Sequence, residues 1–271
     1  MLYLTHAPPP PLSSFIEYLW LLSDVPSHSL ECILPSGTLE LVVNLHEDEI
    51  RIHHDLNAER CARFSGMVVS GAYGRYFVID TAEHALTMGV HFRAGRAVPF
   101  LGVPADKLKD AHVDVRDLWG PRALELRERL CAAATHAERF RLLESALLGL
   151  AFRAPKQHGA VGFALDALQR PGARVQDIAR QVGMSHRRLI ELFAGEVGMT
   201  PKLFYRVNRF QRVLEAQQLP GAAFGQLALA CGYFDQSHLI RDFLTFSGFT
   251  PTSYRGRARV GPVKENHVAL E

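Results

Sequence analysis

The chain has 271 residues, of which 48% are hydrophobic and 21% are charged, and its formal net charge at pH 7 is +2. This length favours two domains. No stretch approaches the ~18 consecutive apolar residues of a membrane span, and the first residues lack the basic and apolar regions of a signal peptide. We therefore expect a cytoplasmic protein without a membrane partner.

Charge divides unevenly along the chain. From Arg153 to the end there are 16 Lys and Arg against 9 Asp and Glu, whereas the first 152 residues contain 14 against 19. A basic half beside an acidic half is typical of a phosphate-binding module joined to a module that does not approach nucleic acid. The alternative is an ordinary solvated basic surface.

The first half is predicted to be rich in β-structure. Apolar and β-branched runs separated by turn residues predict strands at Leu30–Leu34, Thr38–Leu45 and Ile50–His53. Further runs, "SGMVVSG", "RYFVID" and "ALTMGVHF", are broken by glycines and spaced as in a small barrel or sandwich.

Cysteine and histidine spacing gives no sign of a metal or catalytic site. The four cysteines form no C-x-x-C pair, and they are Cys32, Cys61, Cys131 and Cys231. Seven histidines lie between residues 28 and 112: His28, His46, His53, His54, His84, His91 and His112. His53 and His54 are adjacent on a strand and point to opposite faces, and no H-x-H or H-E-x-x-H pattern occurs. We therefore expect no metal, no cofactor and no enzymatic activity.

Residues 121–152 change to helical periodicity. They predict two amphipathic helices, or one helix broken near Thr135, with an apolar stripe. The stripe comprises Leu126, Leu130, Leu142, Leu143, Ala146, Leu147 and Leu150. The predicted organisation is a β-rich domain at 1–152, a linker at 153–160 around "FRAPKQHG", a helical domain at 161–260 and a disordered tail at 261–271.

Two short segments of the second half nearly repeat: "GMTPKLFYR" from Gly198 and "GFTPTSYR" from Gly248. Upstream, Leu189 matches Leu239 and Phe193 matches Phe243 at the same interval of 50, and the interval between the turn glycines Gly183 and Gly232 is 49. Each copy predicts two short helices joined by a glycine turn, with N-caps at Ser185 and Asp235. Such a pair is a helix-turn-helix, whose second helix enters the DNA major groove.

Through both copies, residues Arg174 to Arg255 resemble the DNA-binding domain of the AraC-type (AraC/XylS) family of bacterial transcription regulators. The resemblance implies two helix-turn-helix units joined rigidly by a long helix, here "PKLFYRVNRFQRVLEAQQ". Those 18 residues would span about 27 Å at ~1.5 Å per residue.

The first half is similar, more loosely, to the sensory domains of some AraC-type regulators, through "ILPSGTLELVVNL" and "GVHFRAGRAVPFLG". The predicted fold class is therefore α+β with two domains: a small cupin-like β-barrel or sandwich with following helices, then an all-α domain with the two units. The resemblance implies a small-molecule pocket in the β-domain, which aromatic side chains could line: Trp20, Tyr73, Tyr76, Phe77 and Phe92. The alternative is a β-domain that only dimerises. In the AraC-type family, helices like those predicted at residues 121–152 commonly pair subunits. An apolar stripe on such a helix is as often part of the hydrophobic core of its own domain.

The candidate DNA contacts lie on the second helix of each unit. By resemblance, Arg187 and Glu191 occupy base-reading positions in the first unit, and Gln236, Ser237 and Arg241 do so in the second. Arg188 flanks the first set, and Ile240 could meet a thymine methyl. Lys202 and Arg206 are expected on the DNA backbone. As alternatives, Arg187 and Glu191 form a helix-surface ion pair, and His238 and Asp242 cap or pair locally.

The expected function is a sequence-specific transcription regulator that responds to a small-molecule effector. It would act on double-stranded promoter DNA, as a homodimer, with RNA polymerase as a further partner if it activates, in a bacterial cytoplasm near the nucleoid. A constitutive DNA-binding protein whose first domain only dimerises is the alternative, and an enzyme with an appended DNA module is a distant third.

Overall fold

A computed structural model describes residues 2–23, 29–81, 85–151, 157–216, 224–255, 257 and 266–270. Several predicted features lie outside these ranges: His28, His84, residues 153–156 of the predicted linker and the last two residues of the predicted long helix. Residues 258–260 of the predicted helical domain and residues 261–265 and 271 of the predicted tail also lie outside them. None of the helices within the ranges combines the length and the apolar character needed to cross a bilayer.

The first part of the chain is built from β-strands arranged in two sheets. The strands are β1 (Leu2–His6), β2 (Ile16–Ser23), β3 (Leu30–Ile33), β4 (Glu40–Asn44), β5 (Glu49–His53), β6 (Cys61–Ser65), β7 (Met67–Ser70), β8 (Phe77–Asp80), β9 (Leu86–Phe92), β10 (His112–Asp114) and β11 (His267–Ala269). One sheet has the order β1-β2-β9-β4-β7-β10, and the other has the order β11-β3-β8-β5-β6. The strand pairings leave both sheets open, so the barrel alternative was wrong and the domain is a pair of open sheets.

Parts of β2 and β4 alternate buried with partly exposed residues as a half-buried sheet requires, whereas β7 and most of β9 are buried on both faces. In β2, Leu19 and Leu21 are fully buried, and they lie in the same core as Val43 of β4 and Val90 of β9. The three strands predicted between Leu30 and His53 are present as β3, β4 and β5.

The helices follow the sheets along the chain. They are α1 (Val98–Leu101), α2 (Val115–Trp119), α3 (Pro121–Ala132), α4 (His136–Ala151), α5 (Gly159–Leu168), α6 (Val175–Gln181), α7 (His186–Val197), α8 (Pro201–Ala216), α9 (Phe224–Ala230), α10 (Gln236–Ser247) and α11 (Pro251–Arg255). A short 3-10 helix, Ala105–Leu108, lies between α1 and β10.

The apolar stripe of α3 and α4 belongs to the core of the β-domain. Leu126, Leu130, Leu143 and Leu147 are 0–5% exposed and pack within the main hydrophobic cluster of the chain. The two helices separate near Thr135, one of the two predicted arrangements. Because these leucines are already covered within one chain, the stripe no longer argues for dimerisation.

The chain end returns to the first domain. Strand β11 pairs antiparallel with β3, and Val268 opposite Cys32 is fully buried. Leu34 N–H donates to the Asn266 carbonyl (2.8 Å), and His267 Nδ1 lies 2.8 Å from Glu31 Oε2. The prediction of disorder was therefore wrong for residues 266–270. The three-residue apolar run Val-Ala-Leu is too short a pattern to predict a strand, and the exposed edge of β3 supplies the missing partner.

The two parts of the chain share one hydrophobic cluster. At the contact, Gly198 lies so close to the β-domain that an added Cβ would meet Ala72 Cβ at 2.9 Å and the Ala105 carbonyl at 3.2 Å. An added Cβ on Gly37 would meet the Phe204 ring of α8 at 3.2 Å. Helix α8 therefore packs directly on the loop between β3 and β4.

Candidate nucleic-acid interface

The repeated segments of the sequence form two equivalent helix-turn-helix units. In the first unit, α6 ends at a turn in which Gly183 has φ +67° and the Met184 N–H donates to the Ala179 carbonyl (2.9 Å). In the second, α9 ends at Gly232 with φ +82°, and the Tyr233 N–H donates to the Ala228 carbonyl (2.8 Å). Glycine tolerates this left-handed backbone, which is why it recurs at both turns.

The second helix of each unit, α7 or α10, is hereafter a reading helix. Ser185 caps α7 by accepting from the Arg188 N–H (3.2 Å), and Asp235 caps α10 by accepting from the His238 N–H (2.7 Å). The predicted caps are therefore present. Capping satisfies backbone donors that the first helical turn leaves free.

The near-identical "GMTP" and "GFTP" segments end one helix and begin the next. Gly198 and Gly248 adopt φ +88° and +74° at the ends of the reading helices. The hydroxyls of Thr200 and Thr250 then accept backbone N–H groups of Leu203 (3.3 Å) and Ser253 (3.2 Å) at the starts of α8 and α11. Proline follows each threonine at the first helical position, where its missing N–H costs nothing.

Burial fixes which face of each reading helix can meet DNA. Leu189, Phe193 and Val197 of α7 are fully buried, as are Leu239, Phe243 and Phe246 of α10. The candidate base-reading side chains lie on the opposite faces. Arg187, Arg188, Glu191, Gln236, Ser237 and Arg241 are exposed, and Ile240 is half-buried.

In the free chain Arg187 and Glu191 bond to each other. The Arg187 Nε lies 2.8 Å from Glu191 Oε1, with 89% and 50% of the two side chains exposed. This hydrogen bond lowers the pKa of Glu191, so its carboxylate is charged at neutral pH. An exposed pair of this kind contributes little to stability, so a DNA base can replace either partner at small cost.

A buried ion-pair network joins α8 to the second reading helix. Asp242, which is 3% exposed, accepts from Arg209 at 2.6 Å and from Arg206 at 2.7 Å. Arg209 is itself 5% exposed; its guanidinium stacks 3.8 Å from the centroid of the Tyr233 ring and donates to the Gly232 carbonyl. The network therefore holds both the turn and the reading helix of the second unit on α8.

Sequence reasoning missed this network, although a signal was present. Asp242 lies three residues after Leu239 and four before Phe246, hence on the inward side of α10. His238 and Asp242 were expected to pair locally; instead His238 Nε2 lies 3.0 Å from Arg209, the same guanidinium that Asp242 contacts. Phe234, in the turn before Asp235, was also missed and is 86% exposed.

The two expected DNA-backbone residues differ in their surroundings. Lys202 is exposed on the first turn of α8. Arg206 is half-buried, pairs with Asp242 and lies over the Phe246 ring at 5.1 Å from its centroid. Its guanidinium therefore already has an internal partner.

Comparison with family models finds two matches. Residues 178–257 match a family described as a helix-turn-helix domain, which spans both units. This part of the chain is an AraC-type helix-turn-helix domain. Residues 4–114 match a family described as a domain of unknown function, DUF6597.

Among solved structures, the chain is similar to ToxT from Vibrio cholerae. One ToxT structure is 10% identical, with 94% of this chain and 98% of that chain covered and a TM-score of 0.44. An unsaturated fatty acid-bound ToxT is also 10% identical, with coverages of 93% and 94% and a TM-score of 0.44. A DNA-binding transcriptional dual regulator from Escherichia coli K-12 is 24% identical over 38% of this chain and 92% of that chain, with a TM-score of 0.32. The search of curated proteins gave no match.

Proposed function

We propose that the protein is a sequence-specific DNA-binding transcription regulator whose N-terminal domain binds a small-molecule effector. One observation carries the proposal: α8 is tied to the second reading helix through Asp242 and, on another face, lines a cavity of the β-domain through Asn208, Gln211 and Glu215. A molecule bound in that cavity would touch the same helix that positions α10.

The exposed faces of the two reading helices supply the base contacts. Arginine fits guanine O6 and N7, glutamine fits adenine N6 and N7, and glutamate accepts from cytosine N4. We assign these roles to Arg187, Arg188 and Glu191 in the first unit and to Gln236, Ser237, Ile240 and Arg241 in the second. The backbone role belongs more to Lys202 than to Arg206, because Arg206 is engaged by Asp242.

The DNA site should be asymmetric and nearly two turns long. The described 16 residues of α8 span about 24 Å at ~1.5 Å per residue. A rigid helix of that length favours insertion of α7 and α10 into successive major grooves, about one DNA turn or ~34 Å apart. Since the exposed residues of the two units differ, the two grooves would be read for different bases.

Regulation by an effector is favoured over a constitutive protein whose first domain only dimerises. Four of the seven residues of the stripe that argued for dimerisation are buried inside the chain and the other three pack against the same cluster, whereas the cavity reaches the DNA-binding domain. We keep the homodimer, the RNA polymerase contact and a place near the bacterial nucleoid as parts of the proposal. We assign no catalytic role and no cofactor.

The DNA-reading assignment can be tested by selecting sites for the full chain from a pool of random oligonucleotides and footprinting them. Arg241→Ala should relax base preference at one position, at a cost of roughly 1 to 3 kcal/mol. The matched control, Lys202→Ala, should weaken all sequences alike. A uniform loss with Arg241→Ala, or a symmetric selected core, would contradict the assignment.

A second comparison separates the effector-responsive regulator from the constitutive alternative. The affinity for the selected DNA should change when a compound occupies the N-terminal domain. An unchanged affinity at saturating compound would favour the constitutive protein.

A further inference from the structure

The cavity that α8 lines lies where three parts of the chain meet. Its walls come from both sheets and the loop between β3 and β4, from α8, and from Asn266 and His267 at the returning chain end. Its volume is about 210 Å³. Pockets for drug-sized ligands measure roughly 300–1,000 Å³, so this cavity suits a smaller molecule.

The cavity wall is acidic. Glu17 and Glu40 contribute carboxylates from the sheet, and Glu215 contributes one from α8. Among the described residues that line the cavity, none is Lys or Arg, and the only basic side chains are His91 and His267. His267 pairs with Glu31, a fourth carboxylate that does not line the cavity itself. A carboxylate or phosphate ligand would meet net negative charge there.

Glu40 is held in place by His91 and remains charged. His91 Nδ1 lies 2.5 Å from Glu40 Oε1, and the His91 ring stacks against Tyr18 at a centroid distance of 4.8 Å. Burial alone would raise the pKa of Glu40, but the hydrogen bond and charge of His91 and the more distant His267 bring that pKa below its usual value. A charged carboxylate close to the Tyr18 ring is a favourable surrounding for an organic cation.

Asn208 adds a donor that has no acceptor. Its side-chain nitrogen is buried and, among the described residues, has no hydrogen-bond partner, while the residue lines the cavity from α8. Buried donors are almost always paired in folded proteins, because an unpaired donor has lost its bond to water. A carbonyl or hydroxyl oxygen of a ligand would satisfy it.

We propose that this cavity binds a small organic amine that also carries a hydrogen-bond acceptor, with Glu40 facing the ammonium group and Asn208 facing the acceptor. This inference rests on the proposed effector response and names its chemical class. Asn208, Gln211 and Glu215 lie at positions i, i+3 and i+7 of α8, so a ligand that joins them to the sheet fixes the orientation of the helix that carries Arg206 and Arg209.

Matched pairs of probes test the charge preference on the full chain by calorimetry. One pair is tyramine with 3-(4-hydroxyphenyl)propanoate, and the other is ethanolamine with glycolate. We expect at least one amine to bind at least roughly tenfold more tightly than its carboxylate counterpart. Equal or tighter binding of the carboxylates, or no amine binding at millimolar concentration, would overturn the inference.

Two variants locate the bound amine. Glu40→Gln should weaken amine binding at least roughly tenfold, whereas Glu125→Gln on the exposed face of α3 should leave it unchanged. Asn208→Leu leaves the Glu40–His91 pair intact, so this variant can be used if Glu40→Gln misfolds. Asn208→Leu should weaken amine binding severalfold and keep the preference for amines over carboxylates. Unchanged amine binding in Asn208→Leu would show that the amine does not bind in this cavity.

DNA binding, measured separately by gel shift, distinguishes this inference from the proposed function. Specific DNA binding without amine binding would refute the amine cavity alone. Amine binding that leaves DNA affinity unchanged would support the cavity and refute the effector response.

Discussion

Replacement of Asp242 by asparagine tests whether the buried network holds the second helix-turn-helix unit on α8. The substitution keeps the shape of the side chain and removes its charge. Arg209, only 5% exposed, would then lose the counter-charge that lies 2.6 Å away. Arg206 is 35% exposed and would regain much of its interaction from water.

The expected loss of unfolding free energy is about 3 kcal/mol. Breaking a buried ion pair by removing one partner typically costs 3–5 kcal/mol. The lower end applies because Arg209 keeps the Gly232 carbonyl and the Tyr233 ring. For a protein of this size each kcal/mol lowers Tm by roughly 2–4 °C, so we expect a fall of about 6–12 °C.

Urea unfolding followed by circular dichroism at 222 nm measures the loss in the helical domain. Both tryptophans, Trp20 and Trp119, lie in the β-domain, so tryptophan fluorescence reports that domain separately. The control is Glu191→Gln, which breaks the exposed pair with Arg187 and should change the unfolding free energy far less than Asp242→Asn does.

A double variant separates loss of the ion pair from loss of packing. Arg209→Met combined with Asp242→Leu removes both buried charges and should recover much of the stability, because well-packed apolar residues often replace a buried pair without net cost. A cost below about 1 kcal/mol for Asp242→Asn, or no recovery in the double variant, would refute the assigned role.

Three further predictions concern the turn, the histidine of the β-domain and the chain end. Gly232→Ala should lower the free energy of unfolding in urea by about 1–2 kcal/mol, because Gly232 has φ +82°. Gly195→Ala inside α7 should raise it by up to ~1 kcal/mol. Equal effects of the two substitutions would contradict the argument from backbone strain. Burial lowers the pKa of His112 from 6.5 to about 3, so the folded protein should lose stability as the pH drops below about 6.5. At pH 4.5 this loss should be about 2 kcal/mol larger in the parent chain than in His112→Asn. Parallel curves of stability against pH, measured by fluorescence for the two chains, would exclude this. Deletion of residues 266–271 uncovers β3 and the surface that Val268 covers, so the unfolding free energy measured by fluorescence should fall by at least about 1.5 kcal/mol. An unchanged unfolding free energy would show that β11 adds no stability.

The DNA-binding domain could be predicted from sequence because its signals are local. Each signal acts within a few residues: the turn glycines, the caps Ser185 and Asp235, and the apolar spacing of α7 and α10. Because the segment is repeated, each signal occurs twice in the sequence. The apolar spacing of α7 and α10 also predicts which faces point outward, and these faces carry Arg187 and Arg241. Whether these residues read bases stays a prediction.

Local sequence patterns are enough to predict the two helix-turn-helix units, the β-rich first half and the break between α3 and α4, because periodicity and capping are properties of short segments. Long-range packing is needed to explain the open sheets, the return of β11 to β3, the Arg209–Asp242 network and the acidic cavity around Glu40. These features join residues from about 30 to more than 230 positions apart, and whether a charged side chain is paired and buried depends on neighbours that the local pattern does not specify.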